Sequence, residues 1–298
     1  MASSSVEAIR QKVNRLLMPL SPRLATEVQY FAIMHRKLCL KSPQDFNEKI
    51  QWLKLYHQIP EIPMMADKYT ARAYVRKKGL ADLLIPLLGV WSDAEEIQWQ
   101  SLPRAFAIKT SNASHTNIMV YDKERIDIPR ITSQLNVWLR MDYGARMAEP
   151  QYSAMTPRII AEELLDDKGK GYLTDYKVFC FHGKAKFTQV VHARGDDFNV
   201  QSQWIVDSNG ESLNHFGEES DLFAKPEQYD FLISAAEILA DSLPFVRVDF
   251  YIENNQLYFG EMTFTPHGGA IRHFTREVLM MMGAWIQLPK AKTIGYGR

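Results

Sequence analysis

The chain has 298 residues, of which 46% are hydrophobic and 23% are charged, with 35 basic and 35 acidic side chains. This balance argues against a disordered chain, a collagen-like repeat and a general nucleic-acid binder, and the length allows one large domain or a few small lobes. The charge is unevenly distributed, because residues 1–150 carry 21 basic and 15 acidic side chains, whereas residues 151–298 carry 14 and 20. The asymmetry is compatible with phosphate handling in one half and cation handling in the other.

The two cysteines are far apart in the sequence. Cys39 and Cys180 each lie in an apolar run, which predicts two buried free thiols in a reducing compartment. No apolar stretch is long enough to span a bilayer, and residues 1–17 lack the uninterrupted apolar segment of a signal peptide. These features predict a cytoplasmic protein without a transmembrane segment.

Helical periodicity predicts the first element over residues 5–20. This segment places Val6, Ile9, Val13, Leu16 and Leu17 on one face of an amphipathic helix. Such a face could lie on a membrane surface, but we expect it to pack against the protein's own domain.

Two more helices are predicted in the first third of the chain, over 45–56 and 66–80. Asp67 is the expected N-cap of the helix over 66–80. Lys68 and Arg72 are four residues apart, so they would share one face of that helix.

The remaining segments alternate between strand-like and helix-like patterns. The predicted elements are strands near 85–91 and 105–110, a helix over 127–141, a hairpin over 176–192, a loop over 193–226 with a short strand at 203–206, a helix over 227–243, a hairpin over 245–262 and a helix over 275–286. Helices first and mixed elements later indicate an α+β or multi-lobed α/β arrangement.

The last predicted hairpin carries the richest set of charged side chains. Strand alternation places Arg247 and Asp249 on one face. If the turn is centred on Asn255, Asp249 lies opposite Glu261, and Arg247 lies opposite Thr263.

Two carboxylates that meet on one sheet face repel each other unless a cation or a proton lies between them. Asp249 and Glu261 therefore either hold a hard divalent cation such as Mg²⁺, or are neutralised by Arg247 in a salt-bridged surface cluster. The same alternation would place Leu257 and Phe259 on the face of Glu261.

Three lysines lie in apolar or aromatic surroundings. Lys109 and Lys177 occur in strand-like runs, and Lys68 lies on the predicted helix. Buried lysines are rare unless they are paired, and several fixed cations near a divalent cation suggest a bound polyphosphate such as a nucleotide. Taken singly, each lysine is better explained as a surface residue whose ammonium group reaches solvent.

The order of these residues resembles that of ATP-grasp enzymes. The shared features, in order, are Lys68, Lys109, EELL at 162–165, Lys177, RVD at 247–249 and ExT at 261–263. A narrower resemblance, to the TupA-like ATP-grasp family named for teichuronopeptide synthesis, rests on FNEKIQWLKLY, ADKYTARAYV, DYKVFCFHGK and VRVDFYIENNQLYFGEMTF. It runs from about residue 30 to 289.

The resemblance implies an α+β ATP-grasp fold that binds ATP and Mg²⁺. The implied lobes are an N-terminal helical and small α/β lobe at 1–99, a lid lobe at 100–160 and a C-terminal lobe at 161–298. The implied nucleotide contacts are Lys68, Lys109, Ser114, His115, Glu162, Glu163, Leu164 and Lys177. The implied Mg²⁺ ligands are Asp249, Glu261 and Thr263, the catalytic residue is Arg247, and the substrate contacts are Arg194, Thr265, His267 and Gly268.

Two positions depart from the family pattern. Thr263 stands where an asparagine is expected, and its hydroxyl is a poorer Mg²⁺ ligand than an amide oxygen. The loop after Lys109 contains no glycine, so backbone contacts to phosphate would be replaced by side-chain hydrogen bonds from Ser111, Asn112, Ser114 and His115.

The activity implied by the resemblance is ADP-forming ligation of a carboxylate to an amine through an acylphosphate. Family context suggests a uronic acid in a capsular or cell-wall saccharide as the carboxylate, an amino acid or another amine as the acceptor, and association with polysaccharide-synthesis enzymes. Two alternatives stay open: a kinase on the same scaffold, and a non-catalytic nucleotide-binding subunit. A glycosyltransferase is not favoured, because the sequence shows no obvious DxD motif.

Overall fold

The structure is a computed structural model that describes residues 4–165, 173–194, 200–213 and 223–296. The α+β class is confirmed, with helices concentrated in the first third of the chain. The helices are α1 (Ser4–Leu17), α2 (Pro22–Met34), α3 (Phe46–Tyr56), α4 (Glu61–Ala66), α5 (Ala71–Lys77), α6 (Ile128–Leu139), α7 (Tyr143–Met147), α8 (Pro150–Ser153), α9 (Tyr229–Ala240) and α10 (Arg276–Trp285). The strands are β1 (Leu87–Trp91), β2 (Phe106–Thr110), β3 (Asn117–Val120), β4 (Ile159–Glu163), β5 (Asp175–Phe181), β6 (Lys184–Arg194), β7 (Val200–Val206), β8 (Val246–Glu253) and β9 (Gln256–Thr263).

The strands form two antiparallel sheets. The four-stranded sheet has the order β1-β4-β2-β3, and its core contains Phe106, Ile108, Leu135 and Ile159. Leu135 comes from α6, which packs against β2. The apolar face of α6 therefore gives this sheet a core of its own.

The five-stranded sheet has the order β7-β6-β5-β8-β9 and is covered differently on its two faces. Alternate side chains of β5 and β8, such as Val178 and Val248, pack against α9 in one core. On the opposite face, Phe179 lies in an aromatic core with Phe46 of α3 and Phe274. Because side chains two residues apart share a face, Lys177 continues the face of Phe179 beyond the end of that core.

The hairpin of β8 and β9 has a tighter turn than predicted, and a β-bulge then shifts its register. Its turn consists of two residues, Asn254 and Asn255, which have φ angles of 50° and 60°. This turn pairs Phe250 with Phe259, and the register then shifts by one residue at Gly260. A Cβ on Gly260 would lie 2.9 Å from the carbonyl oxygen of Asp249, so the bulge favours glycine.

The bulge restores the predicted pairing where the charged residues lie. Asp249 pairs with Glu261, and Arg247 pairs with Thr263. The predicted placement of Leu257 and Phe259 on the face of Glu261 is wrong, because both lie in the core that packs against α9.

The N-terminal helices differ from the predictions in two ways. Most of the apolar face of α1 is exposed, although Leu17 packs as predicted in a small cluster with Ala25, and α2 was not predicted. The helix expected over 66–80 is shorter, since α4 ends at Ala66 and α5 spans only Ala71–Lys77, so the prediction that Lys68 and Arg72 share one helix face is wrong. Lys68 lies in the intervening turn, which Asp67 caps by accepting hydrogen bonds from backbone N–H groups.

Two smaller points concern single residues and membrane segments. Cys180 is buried, as predicted, but Cys39 is exposed, because it lies outside any helix or strand. In the part of the chain that the structure describes, no helix has both the length and the apolar character needed to cross a membrane.

Candidate functional site

A row of ionic side chains crosses three neighbouring strands of the five-stranded sheet. Lys177 on β5 pairs with Asp249 on β8, which pairs in turn with Glu261 on β9. The Lys177 ammonium lies 3.4 Å from Oδ2 of Asp249 and 3.0 Å from Oδ2 of Asp175. The predicted meeting of two carboxylates on one sheet face is thus present, with a lysine beside them.

Arg247 lies next to this row and holds both carboxylates. Its guanidinium donates to the two oxygens of Asp249 at 2.7 and 2.6 Å, and to the Thr263 hydroxyl at 3.1 Å. Its Nη2 is 3.5 Å from Oε1 of Glu261. Burial would lower the pKa of Arg247, but the Asp249 and Glu261 carboxylates raise it, so the guanidinium stays charged.

The salt-bridged arrangement considered as an alternative therefore exists, but it is buried. Asp249 is 3% exposed and Arg247 is 9% exposed. Removing this many charges from water carries a large desolvation cost, so an apolar cluster of similar volume would serve stability as well or better. The position of the cluster is consistent with a ligand site rather than with a stabilising surface pair.

Glu261 is the most strongly perturbed carboxylate of the group. Burial raises its pKa, but the nearby cations Lys68, Arg247 and Lys177 outweigh that effect and lower the pKa to about 2. Glu261 is therefore ionised across the physiological pH range.

Lys68 connects this cluster to the loop between β2 and β3. Its ammonium lies 3.4 Å from Oε2 of Glu261 and donates to the carbonyl of Ala113 at 2.8 Å. Its backbone N–H donates to the Ser111 carbonyl, and the Ser111 hydroxyl donates to Oδ2 of Asp67 at 2.6 Å. The turn after α4 thus holds the loop of one sheet close to the carboxylates of the other.

A second ionic cluster lies on the four-stranded sheet. Lys109 on β2 pairs with Ile160, so Glu162 lies on the same face of β4 one step along the strand. The Lys109 ammonium is 2.6 Å from Oε2 of Glu162, and Nη1 of Arg72 is 2.9 Å from Oε1. Arg72 comes from α5, four residues after Lys68, and burial lowers its pKa despite the Glu162 carboxylate.

The other predicted nucleotide contacts border these clusters. Glu163 is exposed, and Leu164 is half-buried just after β4. In the loop after β2, Ser114 is half-buried, and His115 is exposed with a φ angle of 58°.

Sequence reasoning missed a third polar group, which lies behind the predicted substrate loop. The Thr265 hydroxyl donates to Glu149 and accepts a hydrogen bond from Gln151 at 2.7 Å. Burial raises the pKa of Glu149 and lowers that of Lys54, whose ammonium has no hydrogen-bond partner among the described residues. No local pattern in the sequence indicates that these residues meet.

A small cavity lies beside this polar group. Lys54, Gln151 and Thr265 are among its lining residues, and its volume is about 20 Å³, which is enough for one water molecule. A water there would satisfy the otherwise unpartnered ammonium of Lys54.

Of the remaining predicted substrate residues, His267 and Gly268 lie in this loop and Arg194 does not. His267 is exposed with a φ angle of 53°, and the Gly268 carbonyl accepts a hydrogen bond from Gln51 at 2.9 Å. Arg194 ends β6, but its side chain lies outside the described residues.

The donor set fits Mg²⁺ bound together with phosphates. Among the described residues no group of three or more His, Cys, Asp or Glu side chains is arranged around one metal position. Mg²⁺ usually needs only one or two protein carboxylates, with phosphate and water oxygens as the other ligands. Asp249 and Glu261 meet that requirement, while the Thr263 hydroxyl is engaged by Arg247 and by Glu261.

Comparison with solved structures finds low-identity similarities. D-alanine–D-alanine ligase from Bacillus anthracis is 13% identical over 74% of this chain and 60% of that chain, with a TM-score of 0.44. The ligase of the same name from Helicobacter pylori is 14% identical over 84% and 69%, with a TM-score of 0.44. Biotin carboxylase from Campylobacter jejuni is 12% identical over 76% and 48%, with a TM-score of 0.42. The chain thus spans about three fifths of the length of the first of these structures.

None of the curated proteins matches the chain. A family model described as TupA-like ATPgrasp matches residues 48–287, a span that contains both ionic clusters and the polar group around Thr265. Because the match covers most of the sequence, the chain belongs to the TupA-like ATPgrasp family.

Proposed function

We propose that the protein is an ATP-dependent ligase that joins a carboxylate to an amine through an acylphosphate and releases ADP. Family membership supports the use of ATP. The observation that carries the proposal is the row of Lys177, Asp249 and Glu261, with Asp249 buried and with Lys68 and Arg247 on the carboxylates. Paired carboxylates surrounded by fixed cations are the groups needed to hold Mg²⁺ and the phosphates of a nucleotide.

In this proposal, ATP lies between the two sheets. Lys68, Lys109 and Lys177 bind its phosphates, and the lid lobe at 100–160 contributes Ser114 and His115. The adenine lies beside the strand end formed by Glu162, Glu163 and Leu164. Asp249 and Glu261 would hold Mg²⁺, with Thr263 as a third ligand if its hydroxyl leaves Arg247 and Glu261, and the ion would offset negative charge on the transferring phosphoryl group.

The reaction proceeds in two displacements. A carboxylate oxygen of the first substrate attacks the γ-phosphorus, the bond to the β–γ bridging oxygen breaks, and ADP leaves. The amine, having lost one proton from its ammonium form, then attacks the acyl carbon. The bond between that carbon and the phosphate oxygen breaks, phosphate leaves, and the nitrogen loses a second proton to solvent.

Arg247 is the residue that we assign to the acyl-transfer step. Its guanidinium presents two N–H groups in a plane and can hold two oxygens at once, as it does with Asp249. Directed at the acylphosphate, the same groups would stabilise the negative charge that develops on the tetrahedral intermediate. No covalent nucleophile from the protein is required.

The finer substrate assignment is a uronic acid in a capsular or cell-wall saccharide and an amino acid or similar amine. Arg194, Thr265, His267 and Gly268 are the proposed contacts to these substrates. We also propose a cytoplasmic location and association with polysaccharide-synthesis enzymes. These assignments derive from family context.

The test is ADP release measured against a panel of uronic acids combined with amines. A ligase releases ADP over many turnovers only when both a carboxylate and an amine are present, because an amine must consume the acylphosphate before the next turnover. Release with the carboxylate or sugar alone, unchanged by amine, would instead support a kinase, and no acceptor-dependent release would support a non-catalytic subunit. In a ligase, Arg247→Lys should leave the ATP Kd nearly unchanged and lower turnover by about 10²- to 10³-fold, the effect of losing an oxyanion donor.

A further inference from the structure

The two N-terminal helices and the turn between them expose seven large apolar side chains. We call these residues the α1–α2 apolar surface: Val6, Ile9, Leu16, Leu20, Leu24, Val28 and Phe31. Their exposed fractions range from 36% for Val28 to 82% for Leu20. Single exposed apolar residues are common, but this many along one helical hairpin mark an interaction site.

The packing of α1 leaves much of its apolar face in contact with solvent. Val6, Ile9 and Leu16 fall on one face at helical spacing and are exposed. The contact with α2 is small and partly polar: Leu17 and Met18 form a core cluster with Ala25, and the Asn14 amide donates to the buried Gln29.

Further hydrogen bonds fix α1 and α2 to the neighbouring helix α7. The Asn14 amide donates to the Arg146 carbonyl at 3.1 Å, and Gln29 donates to the Met147 carbonyl at 2.7 Å. The helix is thus held by directional bonds and by the small apolar contact of Leu17, which leave Val6, Ile9 and Leu16 exposed. That face is left for an outside partner.

The charge around the surface indicates what kind of partner fits. Residues 4–41 contain seven Lys or Arg and two Glu side chains. Lys12 and Arg15 on α1 are both exposed. In a dimer formed through this surface, the positive charges of the two copies would repel each other, whereas an anionic partner would complement them.

We infer that the α1–α2 apolar surface binds an anionic lipid bilayer, with α1 lying in the plane of the interface. An interfacial helix combines one apolar face with flanking basic residues, which is the pattern of α1. A fluid bilayer accepts a band of aliphatic side chains about 20 Å long, the length of a 14-residue helix, without needing a complementary pocket. This surface lies outside residues 48–287, so the inference does not depend on the proposed function.

The test is co-sedimentation of the full chain with vesicles. We expect binding to vesicles of equal parts phosphatidylcholine and phosphatidylglycerol, weakening as salt is added, and none to phosphatidylcholine alone. The double variant Ile9→Glu with Leu16→Glu should lower vesicle affinity by about tenfold or more. The matched control, Val137→Glu with Ile294→Glu, alters side chains that are 59% and 71% exposed elsewhere and should bind as the wild type does.

Retained secondary structure by circular dichroism shows that each variant is folded. The inference is overturned if the wild type stays in the supernatant with every vesicle, or if the Ile9 and Leu16 variant binds as tightly as the wild type. A wild-type dimer that the same variant converts to a monomer, without vesicle binding, would identify a second copy as the partner and also overturn it.

Discussion

Glu261→Gln removes the carboxylate on which Lys68 and Arg247 converge, while keeping the shape of the side chain. The pKa of Glu261 is about 2 in the folded protein, against an ordinary value of 4.5. That difference corresponds to about 3 kcal/mol in favour of the charged form, and partial screening at a side chain that is 28% exposed reduces the expected effect to about 2 kcal/mol.

The sign of the effect sets its pH dependence. Because folding lowers the pKa of Glu261, its contribution is fully present above pH 4.5 and is lost as the pH falls through about 2. Glu261→Gln should therefore be less stable than the wild type by about 2 kcal/mol near pH 7, and the difference should shrink as the pH falls towards 2.

The assay is urea unfolding of the metal-free protein at neutral and acidic pH. The matched control is Glu96→Gln, which makes the same change at an exposed carboxylate and should leave the free energy of unfolding unchanged. Equal free energies of unfolding for the wild type and Glu261→Gln at neutral pH would refute the stated role of the cations. A difference that does not shrink at acidic pH would refute it as well.

Three further variants probe other parts of the site. Lys109→Met should weaken ATP binding by about 2 kcal/mol or more in calorimetry if Lys109 holds a desolvated phosphate, whereas Lys290→Met at an exposed lysine should not. Burial raises the pKa of Glu149, so the folded protein loses stability as the pH rises from 4.5 through the folded pKa and this carboxyl group ionises. The free energy of unfolding of Glu149→Gln, measured between about pH 5 and 8, should not show that loss. Gly260→Val places side-chain atoms against the carbonyl of Asp249 and should cost about 1 to 3 kcal/mol in urea unfolding, with weaker Mg²⁺-ATP binding; an unperturbed variant would contradict the role given to the bulge.

The chemistry of β8 and β9 could be predicted because strand alternation is local. Side chains two residues apart share a face, so Arg247 and Asp249 follow directly from the sequence. The pairing with Glu261 also held, although the turn at Asn254 is shorter than expected and the bulge at Gly260 corrects for it. A bulge depends on tertiary contacts, and glycine in a strand is only a weak local signal for it.

Other features depend on contacts between distant segments. Glu149 and Lys54 belong to segments far apart in sequence, so no periodicity could associate them with Thr265. The sequence predicted which residues of α1 form its apolar face, but the prediction that this face packs against the protein was largely wrong. Amphipathicity shows which side of a helix is apolar and does not show what covers that side. The predicted burial of Cys39 was wrong for a related reason. Its apolar run has no regular structure, so no periodicity in the sequence shows which of its residues are buried.

The central claim is that Asp249 and Glu261 hold Mg²⁺ for ATP bound between the two sheets. Isothermal titration of the full chain with ATP, in the presence of Mg²⁺ and in the presence of EDTA, tests it most directly. We predict saturable binding of one ATP per chain that requires Mg²⁺ and that Asp249→Asn weakens by about tenfold or more. Undetectable binding, or binding that neither EDTA nor Asp249→Asn alters, would contradict it.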